Sequence, residues 1–155
     1  MVYSIGFTAS RNIIGVSPSF WGNHLSVLNA DVYITGGCFG GDSVIGKTLL
    51  RLFPSAIHLI VVPGDTSKVD FWWQRKETNN LENIKIYWMP EDSSYKDRNQ
   101  KIVTLSNEII GFPEYDEADS RSLRSGTWQT IRLATKAIKK TSIYLTRDYE
   151  LRRTT

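Results

Sequence analysis

Cysteine is all but absent: Cys38 stands alone among 155 residues. A lone thiol excludes an internal disulfide framework and any multi-cysteine zinc site, which makes a reducing, cytoplasmic compartment the expectation. Histidine is nearly as scarce. His24 falls in a helix-like segment and His58 in an apolar run, and neither offers a convincing base or metal site, so no metal and no cofactor are expected. No apolar run approaches the ~18 residues of a membrane span, and the first residues lack the basic and apolar regions of an export signal. Charge of one sign is also missing, because 19 Lys+Arg face 16 Asp+Glu for a net charge of +3. The basic residues are dispersed apart from Arg152-Arg153, which argues against nucleic acid as a partner.

What is present is an alternation of strand-like and helix-like segments. Residues 3–9, 32–35, 57–62, 84–89, 108–112 and 142–146 read as strands. The run 57–62 is nearly all apolar, as expected of a strand covered on both faces, and stops at Pro63, while the run 108–112 is likewise stopped by Pro113. Helices are expected from Ser17-Pro18 to Leu28, from Asp42 to Pro54, as a short piece within 66–83, from Asp97 to Ser106, and from Gly126 to Lys139. Residues 114–125 are polar, charged and aperiodic, and read as a mobile surface loop. The length suits one domain, taken as residues 1–146 with a polar tail at 147–155. Strand alternating with helix implies an α/β architecture with a mostly parallel sheet of about six strands. Ligands of such sheets bind among the loops at the carboxyl ends of the strands.

The richest of those loops is Thr35-Gly-Gly-Cys-Phe-Gly-Gly-Asp42. Gly36, Gly37, Gly40 and Gly41 permit positive φ and close backbone approach, and the helix that starts at Asp42 offers free amides to an anion. Gly41 to Thr48 also satisfies the phosphate-loop expression G-x-x-x-x-G-K-[ST]. Lys47 lies about twelve residues past the strand, however, and Val44-Ile45 suits a helix already under way, so Gly46-Lys47-Thr48 reads as helix interior. Further along, Tyr95-Lys-Asp-Arg-Asn99 offers Arg98 for bidentate binding of phosphate or carboxylate and Asn99 for hydrogen bonds, or else a solvated helix start with Arg98 paired to Asp97 or Glu91. Ser125-Gly-Thr-Trp128 opens the last long helix as a second anion site with Trp128 available for stacking, or else as a cap over a buried tryptophan.

Taken in order, Gly6-Phe-Thr-Ala-Ser-Arg11, the turn 35–42, Arg98-Asn99 and Gly126-Thr-Trp-Gln-Thr-Ile131 resemble the SLOG superfamily of Rossmann-like proteins, which includes the Lonely-guy phosphoribohydrolases and DprA. The resemblance implies a Rossmann-like three-layer sandwich. It also implies phosphate and sugar contacts at Gly36, Gly37, Gly40, Gly41, Gly126 and Thr127, a cleft lined by Thr8, Ser10 and Arg11, and an Arg98 in the place of the Lonely-guy catalytic arginine. One departure matters: Thr130 stands where those enzymes carry a glutamate, so the carboxylate that stabilises an oxocarbenium-like state is missing.

The sequence therefore points to a domain that binds or senses a nucleotide or nucleotide-derived ligand through Thr8, Ser10, Arg11, Gly36, Gly37, Gly40, Gly41, Asp42, Arg98, Asn99, Gly126, Thr127 and Trp128. The alternatives are a nucleoside monophosphate N-glycosidase with Arg98 catalytic and a displaced carboxylate from Glu91, Asp92, Glu114, Asp116 or Glu117, and a single-stranded DNA binder. A homodimer is expected, with Trp72 and Trp73 as apolar surface or, otherwise, as core.

Overall fold

A computed structural model describes residues 1–78 and 83–149. Six strands form one sheet: β1 (Ser4–Ala9), β2 (Val32–Thr35), β3 (Ile57–Val62), β4 (Ile84–Trp88), β5 (Glu108–Phe112) and β6 (Lys140–Ile143), in the order β4-β3-β2-β1-β5-β6. All of its strand pairings are parallel. The connecting helices are α1 (Pro18–Leu25), α2 (Gly41–Leu52), α3 (Trp72–Thr78), α4 (Tyr95–Leu105) and α5 (Gly126–Lys136). Short 3₁₀ turns cover Ser120–Arg124 and Thr146–Tyr149. The α/β architecture expected from the alternation, and the Rossmann-like arrangement that the resemblance implies, are observed.

The two sheet faces carry separate cores. Phe20, Trp21 and Leu25 of α1 and Ile45 and Leu49 of α2 pack on Ile5, Phe7, Tyr33, Ile110 and Phe112. The same face continues under α3, where Trp73 meets Ile60, Val62 and Ile84. On the opposite face Ile102 and Val103 of α4 and Ala134 of α5 cover Ile34, Val61 and Ile109. This makes three layers. Gly6 and Gly111 let the second helical layer sit close, since a Cβ at Gly6 would meet Ser106 and one at Gly111 would meet Ile131.

The chain winds outward from β1 through β2 and β3 to β4, then returns to place β5 on the other side of β1. The strand order therefore reverses between β1 and β5. That reversal opens a crevice, because the connections leaving the two strands run in opposite directions over the sheet.

Several boundaries differ from the sequence reading, each for a local reason. The first helix ends at Leu25, its last core residue, and Val27 is exposed. The fourth starts two residues early at Tyr95, because Ser94 and Asp97 form a reciprocal capping box. The fifth stops at Lys136, where Ile138 adopts a left-handed φ of 58° and the N–H groups of Ile138 and Lys139 return to the carbonyls of Thr135 and Ala134. The last strand covers Lys140–Ile143 because its register follows Glu108–Gly111, and Tyr144 leaves the sheet to stack on Phe112. The expected loop 114–125 contains a 3₁₀ helix capped by Asp119, with Ser122 buried. Trp73 is core, at 1% exposed. Residues 79–82 and most of the expected polar tail lie outside the described residues.

His58 supplies a test of this packing. It is buried, its Nε2–H donates to the Phe53 carbonyl at 2.8 Å, and its ring stacks on Tyr33. Burial pushes the imidazole below its ordinary pKa of 6.5, although the Phe53 carbonyl pulls the other way. Between the two values the unfolded chain binds more protons than the native one, so stability rises with pH through that window and is lost below it. Urea unfolding is expected to show stability falling on acidification below about pH 6.5, by at most about 1.4 kcal/mol per pH unit from this one group. His58→Gln should lack that component, and an identical slope in both proteins would contradict the assignment.

Candidate ligand-binding cleft

The turn between β2 and α2 is built by its glycines, but groups of the chain itself fill it. A Cβ at Gly36 would collide with the Asp42 carboxylate and the Arg98 guanidinium. Gly40, at φ 94°, lies against the Arg11 backbone, and Gly41 lies against Ala9 and the Ser10 carbonyl. The Gly41 N–H donates to Ser10 O at 3.0 Å, Gly37 O accepts from Asp70 N–H at 2.9 Å, and the Phe39 N–H donates to Lys68 O. The four glycines thus bring the loop after β1 and the segment before α3 onto the turn.

Arg98 enters this turn from α4 and is 6% exposed. Its Nη1 lies 2.6 Å from Gly36 O, 3.4 Å from Val61 O and 4.0 Å from Asp42 Oδ2, and its Nε–H donates to Asn99 Oδ1 at 2.8 Å. Asp42 also faces the N–H groups of Cys38 and Ala9. Burial pushes the Asp42 carboxyl above its ordinary range, and Arg98, Arg11 and those two amides pull it partly back. A carboxylate at the start of α2 occupies the place an external anion would take. Cys38, 1% exposed, has its thiol pushed up by burial against the opposing pull of Arg98, which removes the thiolate a nucleophile needs.

The phosphate-loop-like residues have structural partners too. Trp73 packs on Gly46, Lys47 Nζ lies 2.9 Å from Asp70 Oδ2, and Thr48 Oγ1 donates to Val44 O within α2. Asp70 also accepts from Ser43 Oγ at 2.6 Å and from Trp72 N–H. Burial works to raise the Asp70 pKa, but the bonds from Ser43, Lys47 and Trp72 hold it below the ordinary carboxylate range.

The open space lies one crevice away, at the reversal between β1 and β5. A cavity of about 600 Å³ is walled by Thr8, Ala9, Ser10 and Arg11 after β1, by Tyr95, Arg98 and Asn99 at the start of α4, by Glu114, Tyr115, Arg121, Leu123 and Arg124 after β5, and by Ser125 to Gln129 opening α5. Asp42 reaches its floor. Asn12 Nδ2 donates to Glu114 Oε1 at 3.1 Å and ties the two loops together.

Charge in this cavity is unevenly committed. Arg121 forks onto Asp119 at 2.9 and 2.6 Å and lies 3.6 Å over the Tyr115 ring, and its hydrogen bonds hold Asp119 far below the ordinary carboxylate range. Arg11 lies 5.1 Å over Tyr95, and neither Arg11 nor Arg124 has a carboxylate within ion-pair distance among the described residues. At the start of α5 Ser125 Oγ caps the Trp128 N–H, while the amides of Gly126 and Thr127 precede the first intrahelical bond.

Of the residues singled out from sequence, Thr8, Ser10, Arg11, Asp42, Arg98, Asn99, Gly126, Thr127 and Trp128 share this cavity. Gly36, Gly37, Gly40 and Gly41 do not line it; they shape the turn beneath. Arg98 pairs with Asp42 rather than with Asp97, which caps α4, or Glu91. Trp128 is 5% exposed, and its indole N–H donates to Tyr115 O, so it pins the loop after β5 to α5. Thr130 is fully buried with its hydroxyl on Gly126 O, so the wall position falls to Gln129. Tyr115, Arg121 and Gln129 carried no signal of their own in the sequence; only the strand order places them here.

The fold and crevice define a Rossmann-like α/β protein with a polar cleft at its strand-order reversal. Among solved structures, the X-ray structure of DNA processing protein A (DprA) from Streptococcus pneumoniae matches 92% of this chain and 50% of its own, with a TM-score of 0.58 and 17% identity. The likeness is one of fold, and this chain spans about half the length of that protein. No protein-family model matches the sequence, and no curated protein matches it. Among the described residues no helix is long and apolar enough to cross a membrane.

If Arg98 is the internal counter-ion of Asp42, Arg98→Ala is a folding mutation. It leaves a buried carboxylate and the Gly36 carbonyl without their donor, which should lower stability by about 3–5 kcal/mol. Denaturant titration checks this, and a loss below about 1 kcal/mol, the range of an exposed pair, would contradict it.

Proposed function

We propose that the chain is a SLOG-type domain that binds a nucleotide or nucleotide-derived phosphate ligand in the cavity between the ends of β1 and β5, acting as a sensor or binding protein. The observation that carries this reading is the convergence, at the strand-order reversal, of the α5 start with Arg11 and Arg124. Two donor sets with no carboxylate within ion-pair distance among the described residues face one cavity of ligand size. Glu114, held by Asn12, offers an acceptor to sugar hydroxyls. The phosphate is assigned to Gly126 and Thr127, and the Gly36–Asp42 turn supports the cleft from below. Arg98 and Asn99 support it in the same way.

Cleavage of an N-glycosidic bond is a second reading, and Glu114 favours it. Apart from Asp42, which Arg98 engages, Glu114 is the carboxylate on the cavity wall. That chemistry needs a carboxylate beside the sugar, and Thr130 cannot provide one.

Calorimetric titration against nucleoside mono- and diphosphates, cyclic nucleotides and ADP-ribose is expected to find a ligand whose affinity falls about tenfold or more in Arg11→Ala and Arg124→Ala, the size of a lost charge-assisted hydrogen bond. Release of free base in the same mixtures, abolished by Glu114→Gln, would establish the second reading instead. Folded protein that binds none of these but retains an oligonucleotide on a filter in a salt-sensitive way would overturn both in favour of single-stranded DNA.

A further inference from the structure

Arg98 and Asn99 are buried, line the cleft, and have no assigned contact with a ligand. Their hydrogen bonds nonetheless run toward it in a fixed direction. A guanidinium can only donate, so the Nε–H of Arg98, 2.8 Å from the Asn99 side chain, requires the amide oxygen of Asn99 to face it. That orientation turns the Asn99 NH₂ outward, where Nδ2 donates to Gln129 Oε1 at 3.1 Å. Gln129 has two ends, and its oxygen is now committed. Its NH₂ has no partner among the described residues, and Gln129 lines the cavity.

The alternative flip of either amide sets donor against donor and sacrifices a hydrogen bond at a buried residue. Arg98 itself cannot turn to relieve it, because Nη1 is held by Gly36 O and Val61 O with Asp42 beside it. The first turn of α5 adjoins this relay: Asn99 Nδ2 lies 3.9 Å from the point a Cβ of Gly126 would occupy. The start of α5 at Gly126, whose amide is a donor by necessity, therefore borders a side chain forced to be a donor as well.

We infer that Gln129 is a specificity-determining residue whose NH₂ is locked toward the cleft by the Arg98–Asn99 relay, so that this corner accepts the oxyanion of a phosphate group and rejects groups that donate. Arg98 and Asn99 are positioning residues that set the polarity of Gln129 without touching the ligand. This rests on the proposed phosphate-ligand reading of the same cleft.

Titration of ¹⁵N-labelled protein with inorganic phosphate separates the two claims. The backbone amides of Gly126 and Thr127 and the side-chain NH₂ of Gln129 should move together and saturate at one affinity. Gln129→Met keeps the length and removes the donor, and should weaken phosphate about tenfold, as expected for one hydrogen bond to a charged group. Asn99→Asp leaves Gln129 in place but substitutes a group that only accepts. The Gln129 NH₂ should then turn to donate to that carboxylate, its resonances becoming protected from exchange while phosphate binding falls, a change that mere loss of packing would not produce. Should the buried Asn99 variant fail to fold, Gln129→Met on the partly exposed wall still decides the matter. The inference is overturned, with the cleft reading intact, if phosphate shifts Gly126 and Thr127 while the Gln129 NH₂ stays still and Gln129→Met binds as tightly as the parent. No response at any of the three positions overturns the inference and the reading together.

Discussion

The cleft depends on one buried ion pair. Arg98 and Asp42 meet over Gly36 at the carboxyl end of β2, and the space they need is the space a Cβ at Gly36 would have taken. Arg98 also takes the Gly36 and Val61 carbonyls, which joins α4 to the ends of β2 and β3 across the sheet. Asp42 lies beside the Cys38 and Ala9 amides, and the Gly41 N–H before it donates to Ser10 O, which sets the start of α2 against the end of β1. Removing either partner leaves charge in a poorly solvated place, so the five segments are held as a unit. The loop after β1 is fixed from below in this way, and it forms one wall of the cavity.

In the proposed reading, the pair also accounts for an anion being taken at the start of α5 and not on the glycine turn after β2. Glycine is required wherever a Cβ would collide, and the requirement is the same whether the neighbour is a ligand or another part of the chain. At Gly40 the neighbour is the Arg11 backbone, and at Gly41 it is the Ser10 carbonyl. The dipole of α2 is met by Asp42 inside its own first turn, so the field that would attract phosphate is already neutralised. At α5 there is no acid in the first turn, and the cap is a neutral serine. That contrast between the two helix starts is what supports the proposed placing of an anion at the second.

Much of the fold was legible from residue patterns. The apolar runs closed by Pro63 and Pro113 are buried strands with the expected limits, because a strand covered on both faces has little choice of residue. The edge strand β6 starts two residues before its apolar pattern does, since a half-exposed strand such as Lys140–Ile143 carries little apolar signal. The location of the cleft was less legible. Strand order is set by long-range pairing, and nothing local in residues 108–112 shows that β5 lies beside β1 rather than beyond β4. One signal was available for Arg98: it stands four residues before Ile102, on the buried stripe of α4, and an arginine there needs an internal partner. Gln129 had no such mark, because its role follows from the direction of hydrogen bonds and not from residue type.

The glycine turn is filled by the protein itself, and the proposed external phosphate sits at the start of α5. A crystal structure of the chain grown with AMP tests it most directly. Phosphate density is expected against Gly126 and Thr127, with Arg98 still on the Gly36 carbonyl and beside Asp42. Phosphate seated on the amides of the Gly36–Gly41 turn, with Arg98 swung away from Asp42 to meet it, would contradict it.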